Sequence, residues 1–371
     1  MDSNTEDIGL KELRKDLTVK RLMELISMLI LYISFDTSGI KKYVVALLFC
    51  SVFFLLGRKK KWDLELVLCV GFPIIIYILC GSFSTFISGM AQITTIKIVL
   101  YWVMPFLLAF SIYTCYGADM NKIMDSEFFG CLLAYALFDA PNWIKIFRWE
   151  SIFAFSFGIF AMYYAYNHRW KSFVVALLFL VFAEKRIAIV AVVLALLTMG
   201  IQWLFRYNRK LLYVIWGGCI AATFLYVFLI HSGILEAVCW GANINTNGRV
   251  EIYGRMADEA SFSVTYLGKG IGYVEHLLQC WKISTFSNLH NDLLKFYIEL
   301  GFLGLLLYLL AYGVVIEHAG KKYSDSKAAC LLGMLVYTML LFSTDNVSIY
   351  MVYLVPLYSA FFAVLASEKS R

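Results

Sequence analysis

The segment IAIVAVVLALLTMGIQWLF, residues 187–205, carries no charged side chain. A stretch of about 20 apolar residues is what a helix needs to cross the hydrocarbon of a bilayer. The apolar residues do not alternate with period two, which favours a helix over a barrel strand. Directly before the segment stand Glu184, Lys185 and Arg186, and before those another apolar run, 172–183. The two runs read as a helical hairpin with three charges at its tip.

Outward from this hairpin the pattern repeats. Further apolar runs lie at 22–35, 43–57, 63–80, 96–115, 128–140, 151–166, 211–230, 300–316, 328–342 and 349–366. The 371-residue chain is 61% hydrophobic and 16% charged, whereas soluble domains run under about one half apolar and near one quarter charged. In lipid every backbone polar group must pair within the chain. The expected fold is all-α, a polytopic membrane protein of about twelve transmembrane helices, or ten with two re-entrant pieces because 43–57, 128–140 and 172–183 are short. No internal repeat or soluble domain is visible, so residues 1–371 are expected to form a single integral membrane domain.

Charge placement sets the expected sidedness. Lys/Arg clusters fall at Lys11–Arg21, Arg58–Lys61, Arg169–Lys171 and Arg206–Lys210, and at Lys321, Lys322 and Lys327. Short basic segments mark the cytoplasmic side. With all of these inside, the apolar runs pair and both termini are cytoplasmic. The polar, charged N-terminus predicts no cleaved signal.

Residues 231–299 break the pattern of minimal connections. This expected extracytoplasmic loop carries Arg249, Arg255, Lys269, Lys282 and Lys295, seven carboxylates, and His231, His276 and His290. A long loop rich in ionisable groups among minimal ones marks a functional segment. Cys239 and Cys280 also lie in it; they can pair in an oxidising compartment, or remain two thiols, which is the plainer reading.

Three stretches can carry chemistry. In the first, Leu293, Leu294, Tyr297, Ile298 and Leu300 keep helical spacing, with Asn288 or Asn291 as N-cap and Asp292 in the first turn. His290 then sits at the positive end of a helix, where free backbone N–H groups favour an anion. It can act as general base there, or serve only as a surface histidine that helps cap the helix. In the second, Asn247-Gly248 signals a turn, Arg249 follows, and a helix begins near Val250. Arg249 can fork onto a phosphate or stay solvated; for Arg255 solvation is the better reading. In the third, Lys185 and Arg186 place two adjacent cations at the outer surface, against the positive-inside tendency. Either cation can meet a ligand, or both can snorkel from a tight hairpin. The run Gly268-Lys269-Gly270-Ile271-Gly272 lacks the strand–helix context of a phosphate loop and is expected to supply flexible backbone beside the site. Glu65 and Asp139 are isolated acids within apolar runs and Asp345 one in a short outer loop; each can line a cavity or sit at an interface. The histidines fit no short metal-ligand spacing, there is no Gly-x-Ser-x-Gly elbow, and nothing supports nucleic-acid binding.

These cations and the helix start gather on one membrane face, an anion-binding surface at headgroup depth for which a lipid-linked phosphate or pyrophosphate is the natural guest. The string His290-Asn291 with Leu293-Leu294, then Glu299, Gly301 and Gly304, resembles the motif of the O-antigen ligase and polymerase superfamily. Asn247-Gly248-Arg249, the Gly268–Gly272 run and the Lys185-Arg186 pair match that family's order too. The resemblance implies a metal-independent membrane glycosyltransferase with no cofactor. Its donor would be a polyprenyl-pyrophosphate-linked glycan and its acceptor another glycan, in the bacterial cytoplasmic membrane. It further implies that Arg186 and Arg249 neutralise pyrophosphate and that His290 lies next to the sugar transfer, with Lys185, Arg255, Asn291 and Tyr253 as substrate contacts. The hairpin here reads Glu-Lys-Arg, where small polar residues are common near the family's arginine, so Lys185 and Arg186 compete for that role.

The expected function is polymerisation of lipid-linked repeat units into surface polysaccharide, O-antigen or capsule, alongside a flippase and a chain-length regulator. A ligase would use the same site with another acceptor. A flippase would need charges through several spans and internal symmetry, and an acyltransferase a histidine at mid-depth; the sequence has neither feature.

Overall fold

The computed structural model describes residues 21–35, 41–57, 62–89, 93–141, 150–246, 248–281 and 288–367. Helices dominate, and no strand occurs among the described residues. In chain order they are α1 (21–35), α2 (Lys41–Gly57), α3 (Leu64–Ser88), α4 (Ile93–Tyr116), α5 (Met120–Ala134), α6 (Phe153–Tyr166), α7 (Trp170–Phe182), α8 (Arg186–Leu204), α9 (Arg209–His231), α10 (Ile234–Gly241), α11 (Arg249–Ala257), α12 (Tyr273–Cys280), α13 (Asp292–Lys322), α14 (Asp325–Phe342) and α15 (Met351–Ala366). Each of the twelve apolar runs overlaps a helix, the run 128–140 continuing past α5 through a π-helical turn at Tyr135–Asp139. Six stretches are long and apolar enough to cross a membrane: Leu64–Ser88, Thr94–Asp139, Arg186–Leu204, Arg209–His231, Asp292–Lys322 and Asp325–Phe342. Helices α6, α7 and α15 are shorter but apolar. Of the expected cytoplasmic clusters, Lys11–Arg21 apart from Arg21 itself and the whole of Arg58–Lys61 lie outside the described residues, as do Asn247 and Lys282.

Local chemistry explains the helix ends. Asp63 caps α3, accepting from the Glu65 and Leu66 amides at 2.9 and 3.3 Å, and left-handed Gly89 ends it. These are the ordinary start and stop of a helix. On α8 the residues Val190, Val193, Leu197 and Ile201 are exposed, while Ala188, Ala191, Ala195, Thr198 and Gln202 on the other side are buried. That buried row of mostly small residues packs on α14, where Gly333 meets Met199 and Ala195. Small residues let backbones approach, which is how helices associate where apolar exposure to lipid costs nothing.

The bundle has two distinguishable ends. At one, Lys322 near the end of α13 pairs with Asp63 at 3.2 Å and with Glu65, so Glu65 is an end-of-bundle partner and not a mid-span acid. At the other, hydroxyls of α3 and α4 hold the loop that precedes α13. Ser84 donates to the Leu267 carbonyl at 2.6 Å, Ser88 to Lys269 at 2.9 Å, Thr94 to Gly272 at 3.1 Å and Thr95 to Ile271 at 2.7 Å.

Helix α13 is two helices end to end. Gly301 has φ 75° and ψ −179°, so the ladder breaks there. Residues 292–300 form a short helix, every residue of which is buried. The break strands carbonyls that the Gly268–Gly272 run recovers: Lys269 N–H donates to Ile298 at 2.9 Å and Gly270 N–H to Glu299 at 3.0 Å. Gly268, Gly270 and Gly272 all have φ of 85–96°. A Cβ on Gly268 would lie 2.5 Å from the Glu299 carbonyl oxygen. The run is therefore a fitted cap and not the flexible backbone expected from its composition.

Candidate functional site

Helix α13 begins where the sequence places it. Asn291 is the N-cap, its side chain accepting from the Leu294 amide at 3.0 Å, while its Nδ2 donates to the Tyr226 hydroxyl at 3.1 Å. Tyr226 donates in turn to the Ser343 carbonyl at 2.7 Å. Asp292, the first helical residue, is buried and accepts from both the amide and the hydroxyl of Ser348, at 2.8 and 2.6 Å. The start of this helix is thus fastened to the turn between α14 and α15, residues 343–350.

Asp345, in that turn, is the hub. Its Oδ1 lies 3.2 Å from His290 Nδ1 and accepts from the Asn346 amide at 2.8 Å. Its Oδ2 lies 3.5 Å from Lys185 Nζ, which also reaches Glu150 at 3.2 Å. The Asp345 side chain is 3% exposed, against 16% for Lys185 and 26% for His290. Burial pushes its carboxyl up, but the His290 hydrogen bond, the Lys185 ammonium, the Asn346 amide and the His290 charge together outweigh it and hold the group below the usual carboxylate range. An anion beside Nδ1 favours the tautomer with its proton there, leaving the other ring nitrogen, Nε2, with a lone pair.

His290 is held from its backbone as well. Its φ is 53°, in the left-handed region that few non-glycine residues adopt. The Tyr253 hydroxyl donates to its carbonyl at 2.7 Å. Tyr253 comes from α11, whose buried residues Ile252, Tyr253 and Met256 face the bundle; burial pushes its phenol up, so it stays a donor. Arg249, the first residue of the same helix, donates from Nη1 to the Thr344 carbonyl at 3.2 Å. That bond engages one corner of the guanidinium fork beside Asp345.

The structure thus gathers Lys185, Arg249, Tyr253, His290 and Asn291 around the turn at 343–348. Two other expected residues stand apart. Arg186 is exposed, one residue beyond Lys185, and makes no hydrogen bond or ion pair among the described residues. Arg255 is exposed on the far side of α11. Asp345 was visible in the sequence only as an isolated acid, since no spacing rule links residues fifty-five apart. Asp292 and Ser348 were hidden for the same reason. Cys239 and Cys280 are both free thiols.

Comparison with known families fits this arrangement. Residues 172–309 match the O-antigen ligase family. The matched span runs from the α7–α8 hairpin to the middle of α13, and it holds Lys185, Arg186, Arg249, Tyr253, Arg255, His290 and Asn291. It is consistent with the O-antigen ligase and polymerase superfamily, whose members are membrane glycosyltransferase-like enzymes. Asp345 and Ser348, which complete the cluster, lie beyond the match. No curated protein matches the chain.

Proposed function

We propose that this protein is a polysaccharide polymerase that joins polyprenyl-pyrophosphate-linked glycan repeat units on the outer face of the bacterial cytoplasmic membrane. In this reading the chain spans the bilayer about twelve times with both termini inside. The observation that carries it is the His290 ring, braced by buried Asp345 and flanked by Lys185 and Arg249, in a segment similar to the O-antigen ligase family.

The reaction follows from that geometry. The acceptor hydroxyl gives its proton to His290 Nε2 as its oxygen attacks the anomeric carbon of the donor sugar. The bond from that carbon to the bridging oxygen of the pyrophosphate breaks, and its electron pair leaves with the pyrophosphate. Attack from the opposite face inverts the anomeric centre. Lys185 and the free N–H groups of Arg249 stabilise the charge that grows on the leaving group. Asp345 does not take a proton from substrate; it positions the imidazole and stabilises the imidazolium that forms. The activated leaving group makes orientation and electrostatics the main work of the protein.

The ligase alternative differs only in acceptor, and the site described serves both. The test is to supply lipid-linked repeat units on the outer face of proteoliposomes containing the protein. A transferase extends them without flipping, and His290→Ala abolishes the extension. Translocation of the lipid without extension would instead mark a transporter.

A further inference from the structure

Helices α2 and α4 run parallel. At one end Gly57 backs onto Thr114, where an added Cβ would meet the carbonyl oxygen at 2.7 Å. At the other end the Lys42 ammonium lies 5.0 Å from the centre of the Tyr101 ring and 5.5 Å from that of Tyr43. Lys97, one turn before Tyr101 on α4, brings its own ammonium to 5.7 Å from the same Tyr101 ring. The two tyrosine rings are 5.8 Å apart, and Tyr101 is buried. Two cations thus converge on one aromatic platform.

Neither ammonium has an ion-pair or hydrogen-bond partner among the described residues. Other lysines of the chain do meet carboxylates: Lys185 with Glu150 and Asp345, Lys295 with Glu275, Lys321 with Glu317, Lys322 with Asp63 and Glu65. The ring face attracts each cation but leaves the repulsion between them. An anion between them would relieve it.

The surroundings specify what kind of anion. Thr94 and Thr95, less than a turn before Lys97, bond the carbonyls of Gly272 and Ile271. The lysine pair is therefore level with the loop that carries the candidate site, the end read above as extracytoplasmic. Lysines near that surface run against the positive-inside tendency. Lys97 is exposed on α4, and Ile96 beside it is 67% exposed. Ammonium groups with no partner among the described residues, beside an exposed apolar side chain, suit the headgroup of an anionic amphiphile.

We propose that Lys42, Lys97 and Tyr101 form a binding site for the phosphate headgroup of an anionic outer-leaflet lipid. The flexible lysine stems swing their heads onto one phosphate, and the tyrosine platform holds them in the interface. The site lies outside the residues similar to the O-antigen ligase family and does not depend on the transfer reaction.

The test is native mass spectrometry of the full chain in detergent, with phosphatidylglycerol, phosphatidylcholine and inorganic phosphate as probes. The wild-type protein should retain phosphatidylglycerol about tenfold or more over phosphatidylcholine. The pair K42Q/K97Q should lose that preference, and K42R/K97R should keep it. If the double variant does not fold, K42Q and K97Q singly should each lower the preference. An undiminished preference in the glutamine variants, or none in the wild type, overturns the proposal. Displacement of the lipid by an equal concentration of inorganic phosphate also overturns it, because the ligand is then a free anion.

Discussion

Asp345 Oδ1 and His290 Nδ1 lie 3.2 Å apart across two helix junctions, one before α13 and one before α15. The acid is buried and the imidazole half-buried, so the pair is shielded around the carboxylate and reaches the surface through the imidazole. In the proposed reaction this makes Asp345 a positioning residue. Asp345→Asn keeps the size of the side chain and removes the charge that stabilises the imidazolium. Turnover should fall by about 10²–10³, within the range that general-base catalysis supplies. A structural role alone would change protein yield; a positioning role changes kcat more than KM and alters the pH–rate profile. Normal kcat in Asp345→Asn would remove it from the mechanism.

The same carboxylate makes stability depend on acid. Its folded-state pKa is depressed, so its contribution is fully present above the ordinary carboxylate value of about 3.9 and is lost as pH falls through the lower folded value. Thermal melts of the purified protein between pH 6 and pH 3, on the order of one half-unit apart, should show this loss in the wild type. Asp345→Asn should melt lower at neutral pH and lose less on acidification. Parallel curves would mean that the carboxyl is not stabilised as described.

Lys185 and Arg186 are adjacent but not equivalent. Lys185 faces the Asp345 turn, and Arg186 is exposed. Lys185→Ala should therefore cost more than about tenfold in transfer, the loss expected for a charge contact of 1.4 kcal/mol or more, while Arg186→Ala stays within a few-fold. The opposite ranking would assign the hairpin's functional cation to Arg186.

Tyr253→Phe deletes only the hydroxyl that holds the His290 carbonyl. A neutral hydrogen bond is worth about 0.5–1.5 kcal/mol, so the melting temperature should drop modestly. Activity should fall several-fold, since the ring of His290 loses its backbone anchor but keeps Asp345. Loss as deep as that of His290→Ala would point to a direct role for the phenol.

Gly301→Ala and Gly268→Ala should both destabilise. Each puts a Cβ on a backbone of positive φ, at about 1–2 kcal/mol, and each meets a carbonyl group across the break. Gly217→Ala in α9 is the control, because nothing lies within 4 Å of its added Cβ. Melting temperatures in one detergent would rank the three.

Much of this was legible in the sequence, for identifiable reasons. Apolar runs locate helices because lipid leaves the chain no other regular option, so each run overlaps a helix, while six stretches have the length and apolarity of a span. Of Asn288 and Asn291, the two caps the sequence offered, Asn291 starts α13, and Arg249 followed a Gly248 turn that does begin a helix. What escaped notice depends on tertiary contact. Asp345, Asp292 and Ser348 matter through partners more than fifty residues away in the chain. The hairpin's composition could not say which of two neighbouring cations faces inward, because that is set by the turn at Glu184, with φ 50°. The glycine run looked loose since glycine permits mobility as readily as it permits a tight left-handed cap.

The interruption at Gly301 has a mechanical consequence. Residues 292–300 take their orientation from hydroxyls on α3, the Gly268–Gly272 cap and the Asp345 turn, and not from the long apolar helix that follows. The break gives the short buried helix an axis of its own, so the direction of the segment that follows His290 is set by these contacts and not by the axis of the long helix.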